Sequence, residues 1–220
     1  MKKYYEIIKS NPLFSEINVC DFDSFFSCLN VKEKAFDKNE AVINSGDAIR
    51  FVGIVLSGSV KIIKEDINGN QTILANIFPS ELFAEAFACA GVFHSPVSII
   101  ANEKSEILFF DYRKVITTCK RSCSYHQMLT ENMLKIVAQK NLLLNQKIDI
   151  ISKRTLREKI LAYLEYAGKG LNSFTIPLNR EELASYLCAD RSAVSNELSK
   201  MQKDNIIRYN KNDFEILNLN

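Results

Sequence analysis

Residues 124–151 run without a proline or a glycine. Within them Leu129, Ile136, Leu143 and Ile150 recur every seven residues, and Met133, Val137 and Leu144 widen the stripe. A seven-residue apolar period sustained this long predicts one helix packed along a seam. A helix lying on its own chain's barrel would also bury such a stripe, but the length and the seam favour a symmetric dimer. An uninterrupted helix of this length also divides the chain into residues 1–123 before it, the helix at 124–151, and residues 152–220 after it.

The first part changes character near residue 35. Up to that point, "KYYEIIKSNPLFSEI" and "DFDSFFSCLN" space their apolar residues as two short helices do, with Asp21 as N-cap of the second. From there to about residue 112 come the runs "AVI", "FVGIVL", "SVKIIKED", "QTILANIF", "VSIIA" and "EILFFD". They are separated by the turn signals "NSGD", "LSG", "NGN", "FPSE" and "NEKS". Asn68-Gly69 predicts a tight hairpin turn. Many short strands with such turns predict a small antiparallel barrel or roll. "SELFAEAFACAG" interrupts them; it lacks alternation, is rich in alanine and predicts a short helix.

Composition narrows the chemistry. The chain of 220 residues carries a formal charge of only +2, so any basic footprint for nucleic acid must be local. Lys2 and Lys3 are not followed by a signal-peptide core, and no stretch approaches the roughly 18 apolar residues of a membrane span. A soluble, cytoplasmic protein is expected, with no membrane partner. The six cysteines, at 20, 28, 89, 119, 123 and 188, form no CxxC pair and no zinc-type cluster with the two histidines. No P-loop, dinucleotide fingerprint or nucleophile triad is present, and a cupin-like enzyme would need an HxH metal set that the single His94 of the roll does not supply. The chain reads as a non-enzyme without metal or cofactor.

After the long helix, "SKRTLREKILAYLEYAGKG" is an amphipathic helix ending in glycines. "PLNREELASYLCA" is a second, with Asn179 as N-cap and Glu182 three residues on. "DRSAVSNELSKMQKDN" is a third, capped by Asp190, and "IIRYNKNDFEILNL" reads as two strands around a polar turn. This is the order of a winged helix-turn-helix, and with the roll and long helix it makes an α+β chain. On the third helix Ala193, Val194, Leu198 and Met201 form an apolar face, leaving Arg191, Ser192, Ser195, Asn196 and Lys200 exposed. Arginine and asparagine pair bidentately with guanine and adenine edges. The start of such a helix is where a recognition helix meets bases. A merely solvated polar face is the plain alternative; the order of elements favours double-stranded DNA. Asn179, Arg180 and Lys200 are candidates for phosphate positioning, with the helix N-termini offering amides.

"LNREELASYLCADRSAVSNELSKMQKDNIIR" resembles the helix-turn-helix of the Crp/Fnr family of bacterial transcription regulators. Arg191 and Val194 match the family pattern, whereas Ser192 stands where many members have Glu and Asn196 where many have a second Arg. The operator read is therefore expected to differ from the best-known family consensus. "NSGD…IVLSGSVKIIKEDINGNQTILANIFPSELFAE" is similar to the family's cyclic-nucleotide-binding-type β-roll, a double-stranded β-helix. The resemblance implies an effector-sensing roll, a dimerisation helix, a homodimer on a pseudo-palindromic operator, and contact with RNA polymerase.

In cyclic-nucleotide sensors of this fold the phosphate cassette looks like Gly-Glu followed by Arg-Ser or Arg-Thr. Here Ala84-Glu85 replaces the first pair and Ser95-Pro96 stands at the second. No lysine or arginine lies between Lys64 and Lys104. A buried phosphate without a cationic partner is expensive, so cyclic AMP and cyclic GMP are not expected as ligands. Phe83, Glu85, His94 and Ser95 remain the candidate effector pocket. Three readings stay open: a structural Glu85, an unknown small-molecule effector, or a haem or metal at His94 with Glu85 or Cys89. A cluster of the iron–sulfur kind would have to gather distant cysteines, since only Cys20 and Cys28 precede the roll. A redox response through Cys119 and Cys123 stays open, although cysteines one helical turn apart do not readily pair.

Overall fold

A computed structural model describes residues 4–18, 22–116 and 125–217, without the side chains of 22–25. Asp21, Cys20, Cys119 and Cys123 lie outside the described residues. The chain divides into two units, Met1–Gln139 and Lys140–Asn220.

The first unit begins with α1 (Tyr5–Ser10) and α2 (Phe22–Leu29). Then come β1 (Lys32–Phe36), β2 (Ala41–Ile43), β3 (Phe51–Ser57), β4 (Val60–Glu65), β5 (Gln71–Ile77) and β6 (Leu82–Phe83). The helix α3 (Glu85–Cys89) precedes β7 (Ser98–Ala101), β8 (Ser105–Asp111) and α4 (Tyr112–Ile116). The strands form two antiparallel sheets, ordered β1-β8-β3-β6 and β2-β7-β4-β5. Between them lies one core, with Phe36, Val55, Val60, Ile77, Phe83, Ile99 and Ile107. The outer face of the first sheet, including Val52, Ile54, Leu108 and Phe110, is covered by Leu13, Phe14 and Phe26 and by the next helix. The central strand β3 is thus buried on both faces, which is why "FVGIVL" is continuously apolar rather than alternating. Gly53, in its middle, is required by packing: a Cβ there would lie 2.0 Å from Cζ of Phe83.

Two local expectations change. The β4–β5 connection is not a two-residue Asn-Gly turn but a five-residue loop, Asp66–Asn70. Asp66 closes it, its Oδ1 accepting from the amides of Asn68 and Asn70 at 2.8 and 2.9 Å. Bonds from the Asn70 side chain and these amides hold the Asp66 carboxyl below the usual carboxylate range. The second change is β1, absent from the sequence reading because "KEKAF" is mostly polar.

Helix α5 (Tyr125–Ile151) runs from the first unit into the second, followed by α6 (Leu156–Gly168), β9 (Ser173–Thr175), α7 (Arg180–Tyr186), α8 (Arg191–Lys203), β10 (Ile207–Asn210) and β11 (Asp213–Ile216). The last strands and β9 form one antiparallel sheet, β10-β11-β9. Ile160, Leu164, Leu183, Leu187, Val194, Leu198 and Phe214 share its core.

The seam of α5 needs correction. Leu129 and Ile136 are buried against the first unit's core, and Ile150 is buried in the second. Leu143 is exposed, but it lies nine residues beyond Leu134, two and a half turns, and so on the opposite side of the helix. A second row, Leu134, Val137, Asn141, Leu144, Ile148 and Ile151, also repeats every seven residues; Leu134, Leu144 and Ile148 of it point outward, while Val137 packs partly on the first unit's core and Ile151 is half-buried. Leu134, Leu144 and Ile148 are 70%, 60% and 57% exposed. Leu129, Met133, Ile136 and Ile150 of the original stripe face inward, whereas Leu143 and Leu144 are exposed; a period of seven alone does not distinguish the two faces. Among the described residues no helix is long and apolar enough to cross a membrane.

Candidate nucleic-acid interface and sensor pocket

The third helix of the C-terminal unit is fixed from beneath. Val194, Leu198 and Met201 are fully buried. Arg191, Ser192, Asn196 and Lys200 are exposed, with Ala193 and Ser195 half-buried between the two faces. Arg157 of α6 clamps the far side: its Nε donates to Glu197 at 2.6 Å and its Nη1 lies 2.8 Å from Asp204. These bonds raise the Arg157 pKa above its ordinary value. Glu197 is thereby held between Arg157 and the exposed row, its Oε2 3.8 Å from Lys200 Nζ. The sequence reading missed this clamp, because nothing local joins residues forty apart.

The two N-caps behave differently. Asn179 completes a capping box with Glu182: its Oδ1 accepts from the amides of Glu181 and Glu182 at 2.9 and 3.0 Å, and the Glu182 carboxylate accepts from Asn179 N at 2.7 Å. Those amides are occupied, so the expectation that the start of α7 offers them to phosphate is corrected. Asp190 has cap backbone angles but makes no side-chain cap bond.

Arg180 is also redirected. Its guanidinium lies over the rings of Tyr209 and Phe214, 5.0 and 5.1 Å from their centroids, and its Nη2 donates to the Lys211 carbonyl. Burial lowers its pKa, partly opposed by Tyr209. Arg180 therefore holds the β10–β11 hairpin to α7 rather than standing free for a phosphate. Two aromatics bracketing the turn were the available signal, but a cation–π contact thirty residues apart has no sequence period.

In the roll, the candidate pocket residues are only partly gathered. Phe83 is core, packed edge-on to Phe109 with centroids 6.1 Å apart. Glu85 is 4% exposed and opens α3, just after Ala84, whose φ of 64° is the left-handed conformation usual for glycine. His94 is exposed and its Nδ1 donates to the Gly46 carbonyl at 3.0 Å. Ser95 is buried and its hydroxyl donates to the Val97 carbonyl at 2.6 Å. His94 and Ser95 thus brace the 44–47 turn and their own loop. Cys89 bonds to Tyr112; burial pushes the thiol up, and burial with the Cys89 contact pushes Tyr112 to about 12. Among the described residues no three metal-ligating side chains converge. In peptide mass mapping after a short exposure to a thiol reagent at pH 8, exposed Cys188 is expected to be modified well before Cys89; equal rates would contradict the raised thiol.

Residues 33–122 match the model of the cyclic nucleotide-binding domain and residues 141–220 that of the Crp-like helix-turn-helix domain. The chain belongs to the Crp/Fnr family of transcription regulators. The cyclic AMP receptor protein of Thermus thermophilus is 21% identical over 210 residues, covering 95% of this chain and 94% of its own. The transcriptional activator protein FnrL of Cereibacter sphaeroides is 22% identical, covering 86% of this chain and 77% of its own. A CooA variant from Carboxydothermus hydrogenoformans shares the fold, with a TM-score of 0.58 at 20% identity over 93% of each chain. Within this Crp/Fnr frame, the roll and the winged helix-turn-helix correspond to the two matched domains, and α8 is the second helix of the helix-turn-helix.

Proposed function

We propose that this Crp/Fnr regulator binds a pseudo-palindromic operator as a homodimer. Its α8 helices would enter successive major grooves about 34–36 Å apart. The observation that carries the reading is the polar row Arg191, Ser192, Ser195 and Asn196 at the start of a helix whose opposite face is fully buried. Arg191 and Asn196 face base edges; Lys200, exposed in the last turn of α8, meets phosphate. Asn179 and Arg180 act indirectly, by fixing α7 and the hairpin. The outward row of α5 supplies the dimer contact. The roll receives the signal, and that signal is not a cyclic nucleotide in the 84–96 segment, which contains no cation.

Selection from random duplexes, followed by gel shift, tests this. A two-fold-symmetric site with a steep salt dependence is expected. Arg191→Ala should lose about 1–3 kcal/mol and relax one base position in each half-site. Uniform weakening on all sequences would instead make Arg191 a phosphate contact.

A further inference from the structure

β1 and β2 are edge strands of the two sheets, and residues of both line one cleft. Along β1 the residues Lys32, Lys34 and Phe36 point to one face, because side chains alternate along a strand. Phe36 belongs to the core between the sheets, so that face is the inward one. The register agrees: Lys32 lies opposite Phe109 and Lys34 opposite Ile107. Two exposed ammonium groups therefore stand on the inward-facing side of this edge strand, beside the apolar core. They line a cleft of about 500 Å³, together with Arg50. Its floor includes Phe36, Ile43 and Phe109. Lys32 Nζ rests 5.8 Å from the centroid of the Phe51 ring. The one carboxylate at the rim, Asp47, is engaged by its own turn, its Oδ2 accepting from Asn44 N at 2.8 Å and from Asn44 Nδ2 at 3.3 Å. Among the described residues none of the three cations forms an ion pair.

We propose that this cleft binds an amphipathic organic anion, its carboxylate or phosphate headgroup at Lys32, Lys34 and Arg50 and its apolar body against Phe36, Ile43 and Phe109. Three cations over an aromatic and aliphatic floor match that chemistry and no other class as well: a purely apolar ligand leaves the cations unused, and an inorganic anion leaves the floor unused. The proposal rests on the reading of the roll as the signal-receiving unit. It also places the site on the opposite edge of the sheet order from β6 and the segment that follows it.

Calorimetric titration of the full chain with nonanoate, nonyl phosphate, methyl nonanoate and nonylammonium tests it. One equivalent of either anion is expected to bind per chain, with the ester and the ammonium at least about tenfold weaker. The double variant Lys34→Gln/Arg50→Gln alters only exposed side chains, so it should fold normally by circular dichroism yet bind the anions about tenfold more weakly. No anion binding below about 1 mM, equal binding of the ester, or an unaffected double variant would overturn the proposal. The inward lysines would then serve only to guard an edge strand against pairing. Operator binding by gel shift is read separately, so loss of this site and loss of the DNA-binding reading give different results.

Discussion

Replacing Leu144 and Ile148 together with aspartate is expected to yield a folded monomer whose affinity for a two-half-site operator is about 100- to 10,000-fold lower. Both side chains are more than half exposed in the single chain, so their loss removes little from either core. In a two-stranded seam each aspartate would meet its own copy, placing like charges in a desolvated contact. A monomer must then hold one half-site at a time, which removes the gain from linked binding. Light scattering reads the mass and gel shift reads the affinity. A dimer that survives the double change places the interface elsewhere; a monomer with undiminished affinity removes the need for symmetry. Leu129→Asp provides the contrast. Leu129 is fully buried in the first unit, so this variant should lower the unfolding midpoint rather than simply dissociate the chain.

Gly53→Ala is expected to destabilise the roll by about 3 kcal/mol, at the upper end of ordinary overpacking. The added methyl would fall 2.0 Å from Cζ and 2.5 Å from both Cε atoms of Phe83. That ring cannot swing aside freely, because it is fully buried and packed against Phe109, which in turn packs edge-on to Phe36 at 6.2 Å. In thermal unfolding the first unit's transition should fall by roughly 10 °C, while the Lys140–Asn220 unit is unaltered. Shortening the obstructing ring with Phe83→Leu in the same chain should recover part of the loss. An unchanged midpoint for Gly53→Ala alone would mean that the ring relocates without cost, and the packing argument would fail.

The roll was legible in the sequence where hydrophobic runs are bounded by Gly and Asn turns, and the strands from "FVGIVL" to "EILFFD" are there. It was not legible at β1, whose residues Lys32, Glu33 and Lys34 follow no apolar alternation, because an edge strand owes its pairing to β8 rather than to its own burial. Helix α8 was readable as two-faced, since Val194, Leu198 and Met201 recur at helical spacing and are buried. The roles of Arg180 and Glu197 were not readable, because each is set by a partner far along the chain. The helix α5 shows a subtler limit. Both of its apolar rows repeat every seven residues, and only the packing of Leu129, Ile136 and Ile150 reveals which row remains outward.

The missing cap bond at Asp190 has a thermodynamic consequence. The neighbouring helix begins with its amides already tied by Asn179, whereas the first turn of α8 begins without that tie. Fraying starts where the end groups of a helix lack partners. In the free protein the first-turn amides beside Arg191 and Ser192 therefore have no side-chain cap to hold them. On the proposed operator reading, a phosphate oxygen meeting these amides would complete the turn, so some of the favourable free energy of association would go into ordering the protein itself.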